Sequence, residues 1–311
     1  MEAADTRGRG AMSTRPARSA RQPTQLMSES TKGMLFVLPA LALLVVVLGF
    51  PLIGAMLQSV NLMWVDHPHF SLVPFRTLAR DPAFGHALLI TFYYVVCSVA
   101  FHLVTGICVA LPLNRDLPFK WVFRVAALLP WTMPDAVAGM VWRFMLDPLS
   151  GFINSLLLAL HVIVQPIDWL GTPHSAFASV VISEGWRAYP FVMLLLLAGL
   201  QAIPRTQYEA AEIDGANRWQ CFIHVTLPNL RTMLVIALVL DTISQCRVFG
   251  LIYTLTNGGP GDATTVLPIL TYQENFQFFN TAYAAAMALT LAAITFIVSL
   301  PYLRLTMRQR A

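Results

Sequence analysis

Six long apolar stretches dominate the sequence and constrain its fold most strongly. A transmembrane helix needs about 20 apolar residues. Inside lipid, the backbone polar groups must bond within the spanning segment, as they do in a helix and do not in an open sheet. Charged residues make up only 12% of the chain, about half the fraction of a soluble domain. We therefore predict an all-α membrane protein with six transmembrane helices, at residues 34–58, 86–113, 119–143, 175–203, 229–250 and 278–303.

Lysine and arginine are distributed unevenly between the connecting segments. Fifteen of the 20 lie in the N-terminal tail, between spans two and three, between spans four and five, and in the C-terminal tail. Cytoplasmic loops carry an excess of these residues. Both termini, and the segment between spans four and five, are therefore predicted to be cytoplasmic. The net charge of +4 is too small to indicate nucleic-acid binding.

The two ends of the chain are polar and basic. Residues 1–32 contain too few apolar side chains to form a core and are predicted to be a disordered cytoplasmic tail. The apolar run that follows exceeds the roughly 7–15 residues of a signal-peptide core, so it is interpreted as a retained anchor. Residues 33–306 are predicted to be one six-helix domain, and residues 307–311 a short basic cytoplasmic tail.

One polar segment interrupts the apolar pattern between spans four and five. It is Tyr208-Glu209-Ala210-Ala211-Glu212-Ile213-Asp214-Gly215-Ala216, called here the Glu-Ala-Ala loop. Its two alanines favour a helix, and Gly215 can end that helix or allow a partner to approach closely. The pattern predicts a short helix followed by a turn. An ordinary amphipathic connector is the alternative.

The residues flanking this loop suggest where its helix and the next span begin. Thr206 can cap the loop helix, with Glu209 three residues later completing a capping box. Leu227-Pro228 follows the loop, and proline suits the first turn of a helix. We therefore expect the fifth span to start close to Pro228.

These residues resemble those of the membrane permease subunits of ABC importers. The resemblance extends over residues 34–306 and is closest to the maltose and glycerol-phosphate type of carbohydrate permeases. Gly258-Gly259-Pro260 resembles the first-named permease of the heterodimeric pair, whereas Gly250 departs from the aspartate usual at that position. The resemblance implies a coupling element that docks into an ATPase and comprises Glu209, Ala210, Ala211, Asp214, Gly215, Leu227 and Pro228.

The resemblance also implies a set of partners and a location. It implies a second permease subunit, a pair of ATPase subunits that bind ATP and Mg, and an extracytoplasmic solute-binding protein. The cargo would be a small carbohydrate or polyol, and the surroundings would be the lipid of a bacterial inner membrane. This chain would then be a transport subunit without a cofactor, a metal or a catalytic residue of its own.

Ionisable residues inside the predicted spans are the candidates for a transport pathway, because such residues are costly in lipid and usually functional. Glu184 and Arg187 are three residues apart and can pair on one helix face, whereas Asp241 and Arg247 need not meet. Carboxylates could accept hydrogen bonds from sugar hydroxyls, and tryptophan could cover a sugar ring. Bonding between helices is an equally weighted alternative. The candidates are Asp135, Trp131, Glu184, Trp186, Arg187, Asp241 and Arg247.

Sequence patterns of enzymes are absent. The two lysines, Lys32 and Lys120, do not follow a glycine, so no phosphate-binding P-loop is present. A polytopic membrane enzyme that uses Asp135, Glu184 and Asp241 as acid–base groups is an alternative function, since carboxylates in apolar surroundings can serve that way. An ATP-independent carrier is a third. Neither alternative accounts for the Glu-Ala-Ala loop.

Overall fold

The computed structural model describes residues 29–63, 68–116 and 118–308, and every regular element in those ranges is a helix. The chain divides into two compact units at Pro51. Residues 1–28 and 309–311 of the predicted tails lie outside the described residues. Helix α1 begins at Glu29 and α14 ends at Arg308.

The helices vary in length from 4 to 32 residues. In chain order they are α1 Glu29–Leu44, α2 Phe50–Ser59, α3 Val73–Leu78, α4 Pro82–Leu113, α5 Lys120–Leu128, α6 Asp135–Met145, α7 Phe152–Ala159, α8 Pro173–Gln201, α9 Arg205–Ile213, α10 Arg218–Cys221, α11 Leu227–Gln245, α12 Gly250–Leu255, α13 Leu267–Tyr272 and α14 Thr281–Arg308. Short 3-10 or π-helical turns adjoin several of them, at Val45–Gly49, Leu129–Thr132, Phe222–Thr226 and Gln273–Gln277.

Five helices among the described residues are long and apolar enough to cross a membrane, and a sixth candidate is a broken pair. The five are Phe36–Ser59, Pro82–Leu113, Pro173–Gln201, Arg218–Gln245 and Thr281–Leu300. The all-helical prediction is confirmed for the described part of the chain, and each of the five helices corresponds to a predicted span.

The third predicted span, residues 119–143, is a broken pair of helices rather than one continuous helix. Lys120–Thr132 and Asp135–Met145 meet at an angle of 98°. Met133 between them is extended, with ψ 133°. The cause is Pro134, because proline disfavours the helical conformation of the residue before it and cannot donate a backbone hydrogen bond.

The fifth span begins earlier than predicted and ends earlier. The continuous helix starts at Arg218 rather than near Pro228, and it ends at Gln245. A π-helical turn, Phe222–Thr226, precedes the proline, and the amide of Leu227 donates to the carbonyl of Phe222. This i→i+5 bond locally widens the helix. The chain therefore reaches Pro228 without a break.

Helices α4, α8 and α11 form the centre of the second unit. The pair α4 and α8 makes the most extensive contact, and α11 packs against both. One cluster of buried apolar side chains joins these helices to α12 and α6. A second cluster lies nearer the Glu-Ala-Ala loop, and the partly buried side chain of Tyr208 packs against it. This packing places the end of α11 beside the bend that precedes α6.

Candidate functional site

A polar cleft opens where the bend before α6 faces α8 and the end of α11. Its volume is about 360 Å³, which lies in the ~300–1,000 Å³ range of small-molecule sites. The residues that line it are Trp131, Asp135, Arg187, Ala188, Phe191, Asp241, Ser244, Gln245, Arg247 and Val248. We refer to it as the cleft.

Arg187 is the central charge of the cleft and is held by two carboxylates. Its Nε lies 3.0 Å from Glu184 Oε2, and its Nη2 lies 2.6 Å from Glu184 Oε1. Its Nη1 lies 3.0 Å from Asp135 Oδ1 at the start of α6. Glu184 is fully buried, whereas the side chain of Asp135 is 43% exposed. The guanidinium therefore offsets part of the free-energy cost of withdrawing the Glu184 carboxylate from water.

Asp241 is also paired, but with residues that the sequence analysis did not single out. Its Oδ2 lies 2.8 Å from His102 Nδ1, and its Oδ1 accepts a hydrogen bond of 3.3 Å from Gln245 Nε2. Tyr94 donates to Gln245 Oε1 at 3.0 Å. All four side chains are at most 2% exposed. Both oxygens of the carboxylate are thus engaged inside the protein.

The structure brings five of the seven pathway candidates to one cleft. Trp131, Asp135, Arg187, Asp241 and Arg247 all line it. The tryptophan is 46% exposed and stacks on Phe191 with ring centroids 6.0 Å apart. It therefore presents part of an apolar ring to the cleft beside the charged groups.

The other two candidates do not line the cleft. Glu184 is buried behind Arg187, and their predicted pairing is present. Trp186 packs edge to face on Trp142, with centroids 5.9 Å apart. Arg247 follows the end of the helix at Gln245 and is exposed in the turn after it.

His102, Tyr94 and Gln245 are the polar residues of this site that the sequence analysis missed. All three interrupt apolar stretches, and a polar side chain within a span could have identified each of them as a candidate. His102 and Asp241 are 139 residues apart. Only the packing of α4 against α11 brings them together.

The Glu-Ala-Ala loop folds as the helix α9 followed by a tight turn. The Ala216 amide donates to the Ala211 carbonyl at 2.9 Å, and the Gly215 amide donates to the Glu212 carbonyl at 3.0 Å. This is the Schellman pattern of a helix end, which requires a residue with positive φ. Gly215 has φ +82°, so its lack of a side chain explains why the helix stops there.

The start of α9 differs from the prediction, and the next helix has the cap instead. Pro204 is the residue before the helix and offers no side-chain cap, while Thr206 lies inside it. Asn217 and Gln220 form a reciprocal capping box at the start of α10. The turn between α9 and α10 is therefore stabilised by the Schellman bonds at the end of α9 and by the capping box at the start of α10.

The acidic residues of the loop are exposed, in contrast to those of the cleft. Glu209, Glu212 and Asp214 are all exposed and make no ion pair within the part of the chain that the structure describes. Ala210 is exposed and Ala211 is partly exposed. Leu227 and Pro228 lie further on, inside the long helix.

Two side-chain hydrogen bonds attach α9 to that long helix. Tyr208 Oη and Thr226 Oγ1 are 3.0 Å apart. Asn229 Nδ2 donates to Gln207 Oε1 at 2.8 Å. The short exposed helix and the start of α11 are therefore tied together on either side of Leu227 and Pro228.

Comparison with known proteins agrees with this architecture. Residues 102–310 match a family described as the binding-protein-dependent transport system inner membrane component. The chain is 37% identical to the trehalose/maltose transport system permease protein MalF of Thermococcus litoralis over 275 residues, 87% of this chain and 91% of that protein. It is 33% identical to the sulfoquinovosyl glycerol transport system permease protein SmoG of Agrobacterium fabrum over 231 residues, 74% of each.

A solved structure has the same fold. It is the crystal structure of a bacterial ABC transporter involved in the import of the acidic polysaccharide alginate, with a TM-score of 0.77 and 23% identity. The match covers 90% of this chain and 96% of that one. By the family match and the identity to its relatives, the chain belongs to the inner-membrane components of binding-protein-dependent transport systems, and it is a multi-pass permease subunit of an ABC importer.

Proposed function

We propose that this permease subunit imports a carbohydrate and that its cleft forms part of the pathway. The relatives named for trehalose/maltose and for sulfoquinovosyl glycerol transport support a sugar or a sugar-containing cargo. A neutral polyol or a small oligosaccharide fits the chemistry of the cleft, since Arg187 is already paired with Glu184 and Asp135 and does not need an anionic cargo as its partner.

Three groups in the cleft remain available to such a cargo. Asp135 is half-exposed and uses one oxygen for Arg187, so its other oxygen can accept a hydrogen bond from a sugar hydroxyl. Trp131 offers an apolar ring face. Arg247 is exposed beside them and can donate. A few placed polar groups with an aromatic wall are the usual composition of a small-molecule site.

The observation that carries the proposal is the shape and charge of the Glu-Ala-Ala loop. Its helix presents Glu209, Ala210 and Ala211, and it closes at Asp214 and Gly215 with its carboxylates exposed. An exposed acidic helix can dock against a basic groove of an ATPase by complementary charge. Leu227 and Pro228 belong to the helix that continues from this docking surface to the cleft.

The remaining parts of the assembly follow from this arrangement. The excess of lysine and arginine supports a cytoplasmic location for both termini and the loop, where an ATPase can reach them. A second permease completes the pathway, because one six-helix subunit forms only one wall of it. Two ATPase subunits hydrolyse ATP with Mg, and an extracytoplasmic binding protein delivers the carbohydrate. This chain binds no nucleic acid and acts as a coupled transport subunit in the lipid of a bacterial inner membrane.

Affinity purification of the tagged chain from its native membrane in mild detergent tests this proposal. We expect a P-loop ATPase and a second permease to be identified by mass spectrometry in the same sample. The purified complex, reconstituted with its binding protein, should take up a carbohydrate only when ATP is present. A screen of neutral and acidic sugars for binding to the solute-binding protein identifies the cargo.

The chain purified alone is the control. We expect no solute flux from proteoliposomes that contain only this protein, and no turnover of lipid or sugar. Flux without ATP or partners would favour a carrier instead, and turnover would favour a membrane enzyme. Either result would overturn the proposed function.

A further inference from the structure

One continuous helix joins the Glu-Ala-Ala loop to the cleft. It runs from Arg218 to Gln245, 28 residues, and at 1.5 Å per residue it is about 42 Å long. Its first residue follows the capping residue Asn217, and its last lines the cleft. A rigid helix of this length can carry a displacement from one surface of the membrane towards the other.

The start of this helix is attached to α9 by polar contacts. The Tyr208–Thr226 and Gln207–Asn229 hydrogen bonds lie close to the π-helical turn. Tyr208 also packs against the second buried cluster, which includes Leu230 of the same helix. Movement of α9 therefore moves the start of the helix with it.

The far end of the helix is attached to α4 by the four buried side chains described above. His102 bonds to Asp241, and Tyr94 bonds to Gln245 one turn further along. The 3.3 Å bond from Gln245 to Asp241 connects the two contacts. We call these four residues the α4–α11 link.

The α4–α11 link differs in kind from the packing around it. Apolar side chains hold helices together in a membrane through van der Waals contact and close approach, which is weakly directional. Hydrogen bonds require a defined distance and angle, so two of them in succession set the register of α11 on α4. Because all four residues are buried in the protein, lipid and bulk water do not compete for these bonds.

We propose that His102 is a positioning residue of this importer. Through the α4–α11 link it fastens the cleft end of α11 to α4, so that a displacement of α9 moves both helices as one body and changes the cleft. Asp241 then serves to hold the helices, since both of its oxygens are engaged, while Asp135 and Trp131 face the cargo. This inference rests on the proposed coupling of the loop to an ATPase.

The first test replaces both members of the central pair in the reconstituted complex. The double variant His102→Leu/Asp241→Leu removes the polar contact without leaving a buried charge, and such replacements are often neutral for stability. We expect the complex to assemble and to hydrolyse ATP, with the amount of carbohydrate carried per ATP falling by ~5-fold or more, the lower end of couplings between distant sites. Thermal unfolding of the same sample measures assembly and stability separately.

The matched control is His102→Asn, because its side-chain amide can replace the Nδ1–H donor to Asp241. We expect this variant to carry cargo at close to the wild-type amount per ATP. If the double variant assembles and also transports at the wild-type ratio, the proposal is overturned. Absence of ATP-driven uptake in the unmodified complex would instead contradict the proposed function, so the two failures are distinguishable.

A second measurement does not depend on the stability of these variants. Nitroxide labels at the exposed Cys97 of α4 and at Leu240→Cys of α11, with the exposed Cys108 replaced by serine, report the distance between the two helices. Electron paramagnetic resonance of the nucleotide-free and ATP-bound complexes should give the same distance. A distance that changes with nucleotide would show that α4 and α11 move separately and would refute the α4–α11 link as a coupling device.

Discussion

The carboxylates at the cleft and those of the Glu-Ala-Ala loop differ in burial and in pairing. Glu184 behind the cleft and Asp241 on its wall are buried, and each is bonded to a partner on the same chain. In the loop, Glu209, Glu212 and Asp214 are exposed and make no ion pair with any other described residue. The buried carboxylates are therefore paired within this chain, whereas the loop leaves its charges available to another protein.

This difference follows from what each environment permits. A charged side chain in water keeps its hydration, and a single ion pair at the surface adds little to the free energy of unfolding. A charge withdrawn from water is strongly unfavourable unless it is paired and hydrogen-bonded. We infer that substitutions in the cleft act first on folding of this chain, and that substitutions in the loop act first on its association with a partner.

The largest expected effect is that of Arg187→Ala. The change leaves Glu184 fully buried without its guanidinium and leaves Asp135 without its partner. Breaking a buried pair from one side costs about 3–5 kcal/mol, so we expect a clear fall in the unfolding temperature of the purified protein and loss of uptake. Thermal unfolding in detergent measures the loss of stability, and ATP-driven uptake by the reconstituted complex measures the loss of transport.

The control for this prediction is the double variant Glu184→Leu/Arg187→Leu. Removing both charges avoids the unpaired carboxylate, so it should recover most of the lost stability. If the single and double variants were equally unstable, pairing would not be what the arginine contributes, and packing of its side chain would be the better explanation.

The sequence predicted contacts between near neighbours in the chain better than long-range partners. The spacing of Glu184 and Arg187 indicated that they could pair, and ending α9 was one of two roles considered for Gly215; the structure contains both features. The His102–Asp241 contact was not predicted, since it depends on the register between two helices far apart in the chain.

The break in the third span illustrates the same limit. Pro130 and Pro134 both lie in this predicted span, and proline tends to kink or break a helix. The 98° turn is much larger than a proline kink within a helix and depends on the packing of α6 against α12 and α8. Local chemistry therefore located the break, and tertiary packing determined its angle.

The second prediction concerns Glu209→Lys in the loop. Because the residue is exposed, we expect the unfolding temperature of the chain to stay unchanged, as for most surface substitutions. Charge reversal should weaken docking of the ATPase, and ATP-driven uptake should fall by about tenfold, equivalent to 1.4 kcal/mol. Uptake by reconstituted complexes, with copurified ATPase quantified in parallel, measures the effect.

Glu212→Lys is the matched control, since it makes the same change of charge on the same exposed helix. A smaller loss than that of Glu209→Lys would assign the effect to the position of Glu209 rather than to the net charge of α9. Wild-type uptake by the Glu209→Lys complex would contradict the coupling role of the loop and would remove the contrast between the two regions.

The third prediction uses Gly250, which lies against the start of α6. A Cβ atom at this position would be 3.0 Å from Asp135 Cβ and 3.3 Å from the Ala136 amide nitrogen. Gly250→Asp would crowd this contact and add a carboxylate next to Asp135, which competes for Arg187. We expect a loss of about 1–3 kcal/mol, as for overpacking in a close contact, detected by thermal unfolding.

Gly250→Ala separates the effect of steric crowding from the effect of the added carboxylate. It introduces the same Cβ without the charge, so the difference between the variants measures the repulsion between carboxylates. A Gly250→Asp protein as stable as the wild type would mean that α6 can move away from α12 at little cost, and the fixed position of Asp135 in the cleft would then be in doubt.

The smallest expected effect is that of breaking an exposed ion pair near the loop. Arg205 Nη2 lies 2.9 Å from Asp116 Oδ2, a distance similar to that between Arg187 and Asp135, but both side chains are more than 80% exposed. Asp116→Ala should therefore change the free energy of unfolding by at most about 1 kcal/mol, and the change should shrink in high salt, where screening is stronger. Thermal unfolding of Asp116→Ala and Arg187→Ala at low and high salt compares the two pairs directly. Equal losses would mean that distance alone governs these interactions, whereas the expected inequality makes burial the reason that the cleft holds its charges in place.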